Sequence, residues 1–461
     1  MIDVKETSLY NMLDQAIHKA KKRGTPLLMS MTKKIQSINP LAFFEAAGIQ
    51  AMNRTFWSST AEDICIAGAG SAFDITAGTN RVEHAETIWN QLLREAVIHN
   101  PYEVSGTGLL ALGGMSFDPV KQQSDVWRHF PDLALTIPSF MLTSRDDACY
   151  FTVNVRVQAN DDPASLEQTL QQTEKVLRDP PAHLAEGPTI QMKQEIDPEI
   201  WKETVRFTTE YLQQHYADKI VLARALQVDL TDDAAIASLL KRLLETQPNS
   251  YVFAFERGED CFVGASPERL VKQEQDQILS TCLAGTASRG HTQEADAAIA
   301  DALYHDTKNR REHDAVVSMI RQSLTHFCTN LNIPDKPVIY PLKNLQHLYT
   351  PVTATLKDGY SLFNIVEQLH PTPALGGVPR QEALTFIRDC EHLDRGWYGA
   401  PVGWLDSNRN GEFAVGIRSG LIREDQATLF AGCGIMKDSD PETEYEETNM
   451  KFAPMLAVLG G

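Results

Sequence analysis

The chain of 461 residues lacks the features that mark secreted, membrane-spanning and metal–thiolate proteins. Its seven cysteines are scattered, without a CxxC pair, so neither a disulfide framework nor a thiolate metal site is predicted and we expect reduced, mostly buried thiols. No apolar run reaches about 18 residues, and the N-terminus is polar and amphipathic, unlike a signal peptide. These absences predict a soluble, cytoplasmic protein.

Positive charge is scarce. The chain has 42 Lys and Arg residues against 61 Asp and Glu residues, a net charge of −19. This balance predicts neither nucleic acid nor an anionic membrane as a partner. If the ligand is itself an anion, cationic side chains must gather locally in its site. With 43% hydrophobic and 22% charged residues, the chain can bury a large core and is not disordered.

Internal repeats and low-complexity linkers are also absent. The Gly68-Ala-Gly70 element lacks the third glycine of a dinucleotide fingerprint and the acidic residue that should follow, so no dinucleotide site is predicted. Helices and strands occur in blocks instead of alternating, which favours an α+β fold of antiparallel sheets covered by helices. The main predicted blocks are four strands within 251–284, a long helix over 293–326, and strands at 400–407, 411–423 and 426–435.

The most informative stretch runs from Asp438 to Lys451. Its first residues suit a helix cap and a first helical turn, and Glu444, Glu447 and Lys451 follow at spacings of three and four. One helical face therefore presents two carboxylates and an ammonium group. A solvated helix with an ordinary ion pair shows the same pattern. However, the small-residue strand Leu429–Ile435 comes just before it, and this combination can hold a hard divalent cation beside an anionic ligand.

Four other C-terminal segments carry weaker candidate chemistry. Lys219 lies at the mouth of an apolar strand; it is an ordinary strand-end charge unless desolvation makes its neutral amine a base. Glu268 projects one carboxylate where a strand breaks at Pro267. The glycine turn 283–286 offers backbone N–H groups suited to a carboxylate, and the charged segment 308–313 decorates one helix face.

Taken in order, these segments resemble the chorismate-utilising enzymes. The resemblance covers about residues 200–461, through AGTASRG, KNRREH, HPTPALGG, WYGAPVGW, AVGIRSG, AGCGI and DSDPETEYEET. Within that family the details are most similar to isochorismate synthases, and the segment 27–44 to the menaquinone-pathway form. The resemblance implies one large domain, 1–461, of layered antiparallel sheets wrapped by helices. Within it, 1–197 is a less specific N-terminal portion and 198–461 the chorismate-binding catalytic core, with the proline-containing segment 179–198 as the seam.

The resemblance also implies a reaction, the magnesium-dependent conversion of chorismate to isochorismate. Water adds at ring C2 while the C4 hydroxyl leaves. By the family's pattern Lys219 is the base that takes a proton from water, and Glu268 is the acid that protonates the departing hydroxyl. Each must then hold the charge state opposite to that of its free side chain at neutral pH, with the lysine neutral and the glutamate protonated.

The metal and substrate ligands follow from the same pattern. Glu312 and Glu447 would bind Mg²⁺, with Glu444 acting through a metal-bound water, so that the ion bridges an acidic protein and an anionic substrate. The residues expected to bind the substrate carboxylates or to line the ring pocket are Gly285, Thr286, His370, Ala374, Leu375, Tyr398, Arg418, Gly432 and Lys451. Arg418 suits bidentate binding of a carboxylate, whereas a packed core histidine is an equally good interpretation of His370.

Three positions separate the subfamilies. Anthranilate synthases generally carry Gln in place of Lys219 and use ammonia. Ala284 replaces the nucleophilic lysine typical of aminodeoxychorismate synthases, so no glutaminase subunit is expected. Ala374-Leu375 differs from relatives that eliminate pyruvate, which tend to have Thr first. A salicylate synthase shares Lys219 and is the nearest alternative, followed by an isochorismate synthase of a siderophore pathway and a non-catalytic chorismate binder.

Overall fold

The computed structural model describes residues 8–78, 80–179, 184–341 and 345–460. The helices of this part of the chain are α1 (Leu9–Arg23), α2 (Pro40–Ile49), α3 (Arg81–Glu95), α4 (Pro163–Arg178), α5 (Pro198–Gln213), α6 (Ile236–Thr246), α7 (Gln293–His305), α8 (Thr307–Thr325), α9 (Leu362–Leu369), α10 (Arg380–Cys390) and α11 (Pro441–Val458). None of these described helices combines the length and the apolar character that crossing a bilayer requires.

The strands outnumber the helices. In chain order they are β1 (Leu27–Ile35), β2 (Arg54–Ser59), β3 (Ile64–Ala69), β4 (Phe73–Ala77), β5 (Val97–His99), β6 (Leu110–Met115), β7 (Leu133–Ile137), β8 (Phe140–Arg145), β9 (Ala148–Val157), β10 (Ile190–Glu195), β11 (Lys219–Leu230), β12 (Tyr251–Arg257), β13 (Asp260–Ser266), β14 (Arg269–Glu274), β15 (Gln277–Ser288), β16 (Cys328–Asn332), β17 (Val338–Pro341), β18 (Leu345–Leu356), β19 (Gly377–Val378), β20 (Pro401–Asp406), β21 (Gly411–Val415), β22 (Ser419–Arg423) and β23 (Gln426–Ile435).

These strands form two sheets. The larger has 13 strands in the order β10-β11-β23-β22-β13-β12-β2-β3-β8-β9-β1-β5, with β19 also paired to β11. The smaller has 10 strands in the order β16-β18-β15-β14-β21-β20-β6-β7-β4, with β17 also paired to β18. Neighbouring strands run antiparallel except β1 and β5, which are parallel.

Alternating side chains of the larger sheet enter two different hydrophobic cores. In β12, Tyr251, Phe253 and Phe255 join the core that contains residues of both sheets. Val252 and Ala254 point the other way, into a core shared with α1, α2, α4, α6 and α11. Successive residues of a strand face opposite sides of the sheet, which explains this division. The prediction of an α+β fold with layered antiparallel sheets wrapped by helices is confirmed.

Both sheets mix strands from the two sides of residue 197. β2 pairs with β12 in the larger sheet, and β6 pairs with β20 in the smaller one. The predicted seam at 179–198 includes Pro180 and Pro181, which lie outside the described residues, and it also contains β10, which pairs with β11. The N-terminal and C-terminal portions therefore share both sheets.

Two boundaries predicted from the sequence are wrong. The helix expected over 293–326 is interrupted at Asp306, whose backbone leaves the helical region and whose carboxylate accepts from the Asn309 N–H at 2.7 Å. A new helix, α8, therefore begins at Thr307, because an aspartate at this position satisfies a free N–H of the first turn. The strand expected over 411–423 is two strands, β21 and β22, separated by a break that contains Arg418.

The cysteine prediction is confirmed. All seven thiols are free, and five of them are buried.

Candidate active site

Lys219 and Glu312 come together although 93 positions separate them. Lys219 begins β11, and its Nζ donates to Glu312 Oε1 on α8 at 2.6 Å. The lysine side chain is 13% exposed and the glutamate side chain 39% exposed. Burial acts to raise the pKa of Glu312, but the charge and the hydrogen bond of Lys219 outweigh it and hold that pKa below its ordinary value. Glu312 is therefore an ionised carboxylate whose side chain stays partly exposed.

Glu268 is a carboxyl group whose pKa is shifted toward neutral pH. It follows β13, where its N–H donates to Ser266 Oγ at 3.2 Å. Burial raises the pKa of Glu268 to about 7, against the opposing charges of Arg418, Lys219 and Lys451. A carboxyl group in this position holds a proton in a large fraction of molecules near neutral pH, which is what a general acid needs.

The face of α11 predicted from the sequence is present. Glu447 Oε1 lies 2.7 Å from Lys451 Nζ, and the same Nζ donates to the carbonyl of Gly432 at 2.7 Å. Lys451 thus connects the helix to the small-residue end of β23. Glu444 faces the start of the helix, where its Oε1 accepts from Ser439 Oγ at 2.6 Å.

Arg418 lies in the break between β21 and β22. Its φ of +51° is in the left-handed region, which a residue with a side chain rarely adopts. Its guanidinium makes no hydrogen bond or ion pair with any residue that the structure describes. Burial lowers its pKa, although the charges of Tyr398, Glu268 and Glu447 oppose that effect. A half-buried cation without a partner suits a ligand carboxylate, and backbone strain at such a position is typical of functional sites.

Small residues of β23 leave room for two site residues. Tyr398 stacks on Phe430 with ring centroids 5.4 Å apart. A Cβ on Gly432 would lie 3.3 Å from the Tyr398 hydroxyl. Burial raises the pKa of Tyr398 well above its usual value, so the phenol stays protonated. A Cβ on Gly434 would overlap Cε of Lys219. The glycines of this strand are therefore needed for the close approach of the lysine and the tyrosine.

The glycine turn forms a bulge in β15. Gly285 has φ +81°, and the register against β18 shifts between Ala284 and Thr286. The Thr286 N–H donates to Asn309 Oδ1 at 3.2 Å, so this N–H is engaged with α8. The turn is thereby attached to the helix that carries Glu312.

His347 is a site residue that the sequence analysis missed. It lies opposite Thr286 in the β15–β18 pairing, and its Nδ1 is 2.9 Å from Thr286 Oγ1. Burial, together with the charges of Arg418 and Lys451, lowers its pKa to about 4, so the ring is neutral and belongs to this cluster. A single histidine in a strand carries no sequence signal, because only the strand register decides what it faces.

The segment before β19 contributes the remaining predicted residues. His370 is buried, its Nε2 lies 2.9 Å from the Phe117 carbonyl, and the two rings meet edge to face. Burial lowers the pKa of His370 to about 3, so the ring is neutral; these are the contacts of a packed core histidine. Ala374 and Leu375 lie just before β19, which pairs with Lys219 and so places them beside the start of β11.

Magnesium is predicted to bind at two acidic residues of this site, Glu312 and Glu447. Within the described residues there is no group of three or more His, Cys, Asp or Glu side chains suited to a metal. Glu312 and Glu447 are nevertheless accessible, at 39% and 44% side-chain exposure, and the charge of Lys451 acts on both. Mg²⁺ commonly uses one or two protein carboxylates and takes its other ligands from water and substrate.

Cationic side chains gather in this cluster, as an anionic ligand requires in a chain with a net charge of −19. Lys219, Arg418 and Lys451 all act on Glu268, so three cations surround a carboxyl group that can carry a proton. An amine, an acid and unpaired positive charge in one site define an enzyme that acts on a small anionic molecule.

The chain belongs to the family of chorismate-binding enzymes, whose model matches residues 15–460. The family assignment from the sequence motifs is confirmed and extends well before residue 200.

Individual relatives match over nearly the whole chain. The isochorismate synthase MenF of Bacillus subtilis is 39% identical over 453 residues, covering 97% of this chain and 96% of the relative. The salicylate biosynthesis isochorismate synthase of Pseudomonas aeruginosa is 32% identical and covers 98% of this chain and 95% of the relative. The solved structure of MenF, the menaquinone-specific isochorismate synthase of Escherichia coli, has a TM-score of 0.80 at 23% identity, covering 98% of this chain and 100% of that one.

Proposed function

We propose that the protein is an isochorismate synthase that adds water at C2 of chorismate while the C4 hydroxyl leaves. The observation that carries the proposal is that Glu268, whose pKa is about 7, and Lys219 occur in the same site. The charges of Lys219, Arg418 and Lys451 all act on this carboxyl group. The near full-length similarity to the Bacillus subtilis enzyme supports the same reaction.

The acid–base roles follow from the two environments. Glu268 protonates the departing hydroxyl, because burial keeps a proton on its carboxyl near neutral pH. Lys219 takes the proton from the attacking water, for which its amine must be neutral at that moment. Its hydrogen bond to Glu312 aims Nζ into the pocket beside Gly434, where the missing side chain leaves space.

The substrate is bound through its two carboxylates. Arg418, whose guanidinium has no partner among the residues that the structure describes, binds one of them in bidentate geometry. Lys451, held between Glu447 and the Gly432 carbonyl, adds a second positive charge. Tyr398 and Leu375, both buried, provide the wall of the ring pocket.

The proposal includes a magnesium ion held by Glu312 and Glu447, with Glu444 acting through water. When bound, the ion supplies positive charge that a substrate carboxylate can bind. The ammonium form of Lys219 lowers the pKa of Glu312, so the carboxylate is ionised, as a magnesium ligand must be. Lys219 must lose that proton before it acts as the base.

Water as the nucleophile is supported by Ala284. This residue is buried and offers a methyl group where an amine-transferring relative has a lysine, and its carbonyl lies 3.0 Å from His313 Nδ1. We therefore propose a chain that acts without a glutaminase subunit. The similarity to the Bacillus subtilis enzyme favours the menaquinone pathway, and the free thiols suit a cytoplasmic location.

Incubation of the pure chain with chorismate and Mg²⁺, without an amine donor, tests the proposal. We expect isochorismate alone, with the Lys219→Ala variant as the matched control that forms almost none. Salicylate together with pyruvate would indicate a salicylate synthase. No turnover would indicate a chorismate binder, and turnover only with ammonia or a glutaminase would indicate an aminating subunit.

A further inference from the structure

One edge of β11 is only partly covered by strands. β19 pairs with Lys219 and Ile220, and β10 pairs with residues 226–230. Among the described strands, none pairs with the intervening residues 221–225 on this edge. Buried backbone N–H and C=O groups require hydrogen-bond partners, so other groups must take the place of a strand here.

Side chains occupy this gap. The Ala223 N–H donates to Glu391 Oε2 at 2.8 Å, and its carbonyl accepts from Trp201 Nε1 at 3.1 Å. The Val221 carbonyl accepts from Arg395 Nη2 at 2.8 Å. Glu391 and Arg395 are bonded to each other at 2.6 and 2.7 Å, and their side chains are only 2% and 3% exposed.

The same arginine also binds the segment before β19. Arg395 Nη1 donates to the carbonyl of Leu375 at 2.9 Å. The central carbon of its guanidinium lies 4.3 Å from the centroid of the Phe117 ring. Next to it, the Val221 N–H donates to the carbonyl of Gly376 at 2.9 Å. Arg395 therefore joins two chain segments that the proposed mechanism needs in register, the start of β11 and the Ala374–Leu375 loop.

We propose that Glu391 and Arg395 are positioning residues, which replace a strand at this edge and hold the Ala374–Leu375 loop against β11 so that Lys219 has its catalytic position. The inference rests on the proposed function, because it takes Lys219 as the base. Lys219 is two residues from Val221, about 7 Å along a strand, so movement of this edge moves the lysine directly. Two apolar side chains could fill the same volume, but they would leave the β11 backbone groups without partners.

Arg395→Lys tests the geometry separately from the charge. A lysine keeps a cation beside Glu391, but its compact ammonium group cannot span Glu391 and the Val221 and Leu375 carbonyls at once. We expect kcat to fall by about 10–100-fold, the usual loss when a residue that orients a functional group without touching the substrate is changed. The matched control is Trp201→Phe, which removes a hydrogen bond from the same strand edge without touching the loop; its kcat should stay close to that of the wild type.

Amide hydrogen exchange gives a second measurement that does not depend on turnover. The Val221 N–H reports directly on contact between strand and loop, because its acceptor is Gly376. It should exchange faster in Arg395→Lys and at the wild-type rate in Trp201→Phe. If Arg395→Lys does not fold, Glu391→Gln is measured in the same way, with the same direction of change expected.

An unchanged kcat per folded molecule, or an unchanged Val221 exchange rate, in a folded Arg395→Lys variant would overturn the inference and leave the pair with a role in stability alone. Failure of the proposed function would look different. In that case the wild type would form no isochorismate, while the exchange measurement would still report on the strand and the loop.

Discussion

At the scale of single residues, the site depends on two groups whose environments differ. Glu268 is surrounded by cations, yet burial outweighs them and raises its pKa to about 7. Glu312 is also partly buried, but its direct contact with Lys219 has the larger effect and lowers its pKa. Two glutamates of one site therefore differ in charge near neutral pH, and this difference is the basis on which we propose one for proton donation and the other for cation binding.

Lys219→Ala and Glu268→Gln should each lower kcat by about 10²–10⁴-fold, with a smaller effect on KM for chorismate. The reason is that proton transfer occurs only in the transition state. Steady-state kinetics at saturating Mg²⁺ measures this directly. A variant that raised KM and left kcat unchanged would contradict the role assigned to that residue.

The activity of the forward reaction should fall as pH rises through about 7, because Glu268 loses the proton that it must donate. In Glu268→Gln this alkaline limb should be missing from the residual rate. A pH–rate profile of both proteins tests the assignment, and a limb that persists in the variant would show that another group titrates.

The same group should affect stability. A free glutamate has a pKa of about 4.3, so in the folded protein Glu268 binds its proton more tightly, and the stability that this proton contributes is lost as pH rises through about 7. The thermal midpoint of Glu268→Gln minus that of the wild type should therefore be larger at about pH 8 than at about pH 5. An equal difference at both pH values would contradict the raised pKa.

At the scale of elements, the site lies where α8, α11, β11 and β23 meet. α8 begins where Asp306 interrupts the helix, and α11 begins where Asp440 accepts from the Thr443 N–H at 2.9 Å. The two caps fix where each acidic helix begins: α8 packs against β15 and β18 of the smaller sheet, and α11 packs against β23 of the larger one. β23 contributes no long side chains at this point, which allows Lys219 and Tyr398 to reach the pocket.

Glu312→Gln and Glu447→Gln should each abolish magnesium-dependent activity while the fold survives, because the two carboxylates lie on separate helices and neither replaces the other. Glu444→Gln should be milder, about 10–100-fold, as for a residue that acts through water. Activity measured against Mg²⁺ concentration, with circular dichroism as the control for folding, tests this. Near-normal turnover of both variants at saturating Mg²⁺ would exclude the proposed ligands.

Gly434→Ala should lower kcat by about tenfold or more, since the new Cβ displaces the Lys219 side chain and a shift of about 1 Å can cost about 10²-fold. The lysine is flexible, so the variant should fold. Gly187→Ala is the matched control, because its Cβ would meet Arg242 only at 3.4 Å, an ordinary contact distance. Equal kcat values for the two variants would show that Lys219 tolerates the added methyl group.

At the scale of the whole molecule, the N-terminal portion is part of both sheets that form the site. β2 lies against β12 at the centre of the larger sheet, and β6 lies against β20 in the smaller one. Without residues 1–197 the backbone edges of β12 and β20 would have no partner, and the core between the sheets would be open.

A fragment of residues 198–461 should therefore fail to fold cooperatively and should not turn over chorismate, although it contains every residue of the proposed site. Thermal unfolding followed by circular dichroism, with the full chain as the control, measures this. A cooperative transition and isochorismate formation by the fragment would show that the catalytic core is an independent domain.

Features that depend on neighbouring residues could be predicted from the amino-acid sequence. The spacing of Glu444, Glu447 and Lys451 places them on one side of α11, because helix periodicity is local. The blocks of strands likewise predicted the layered α+β class, and the ordered motifs predicted the family. The N-terminal caps also depend on side chains within one turn, although the interruption of the predicted helix at Asp306 was missed.

Contacts between residues that are distant in the sequence depend on the folded chain. His347 faces Thr286 because of the register between β15 and β18, and the left-handed backbone of Arg418 follows from the break between β21 and β22. The contact between Lys219 and Glu312 joins a strand to a helix 93 positions away. The pKa of Glu268 also depends on the fold, since burial raises it and the opposing charges come from residues distant in the sequence.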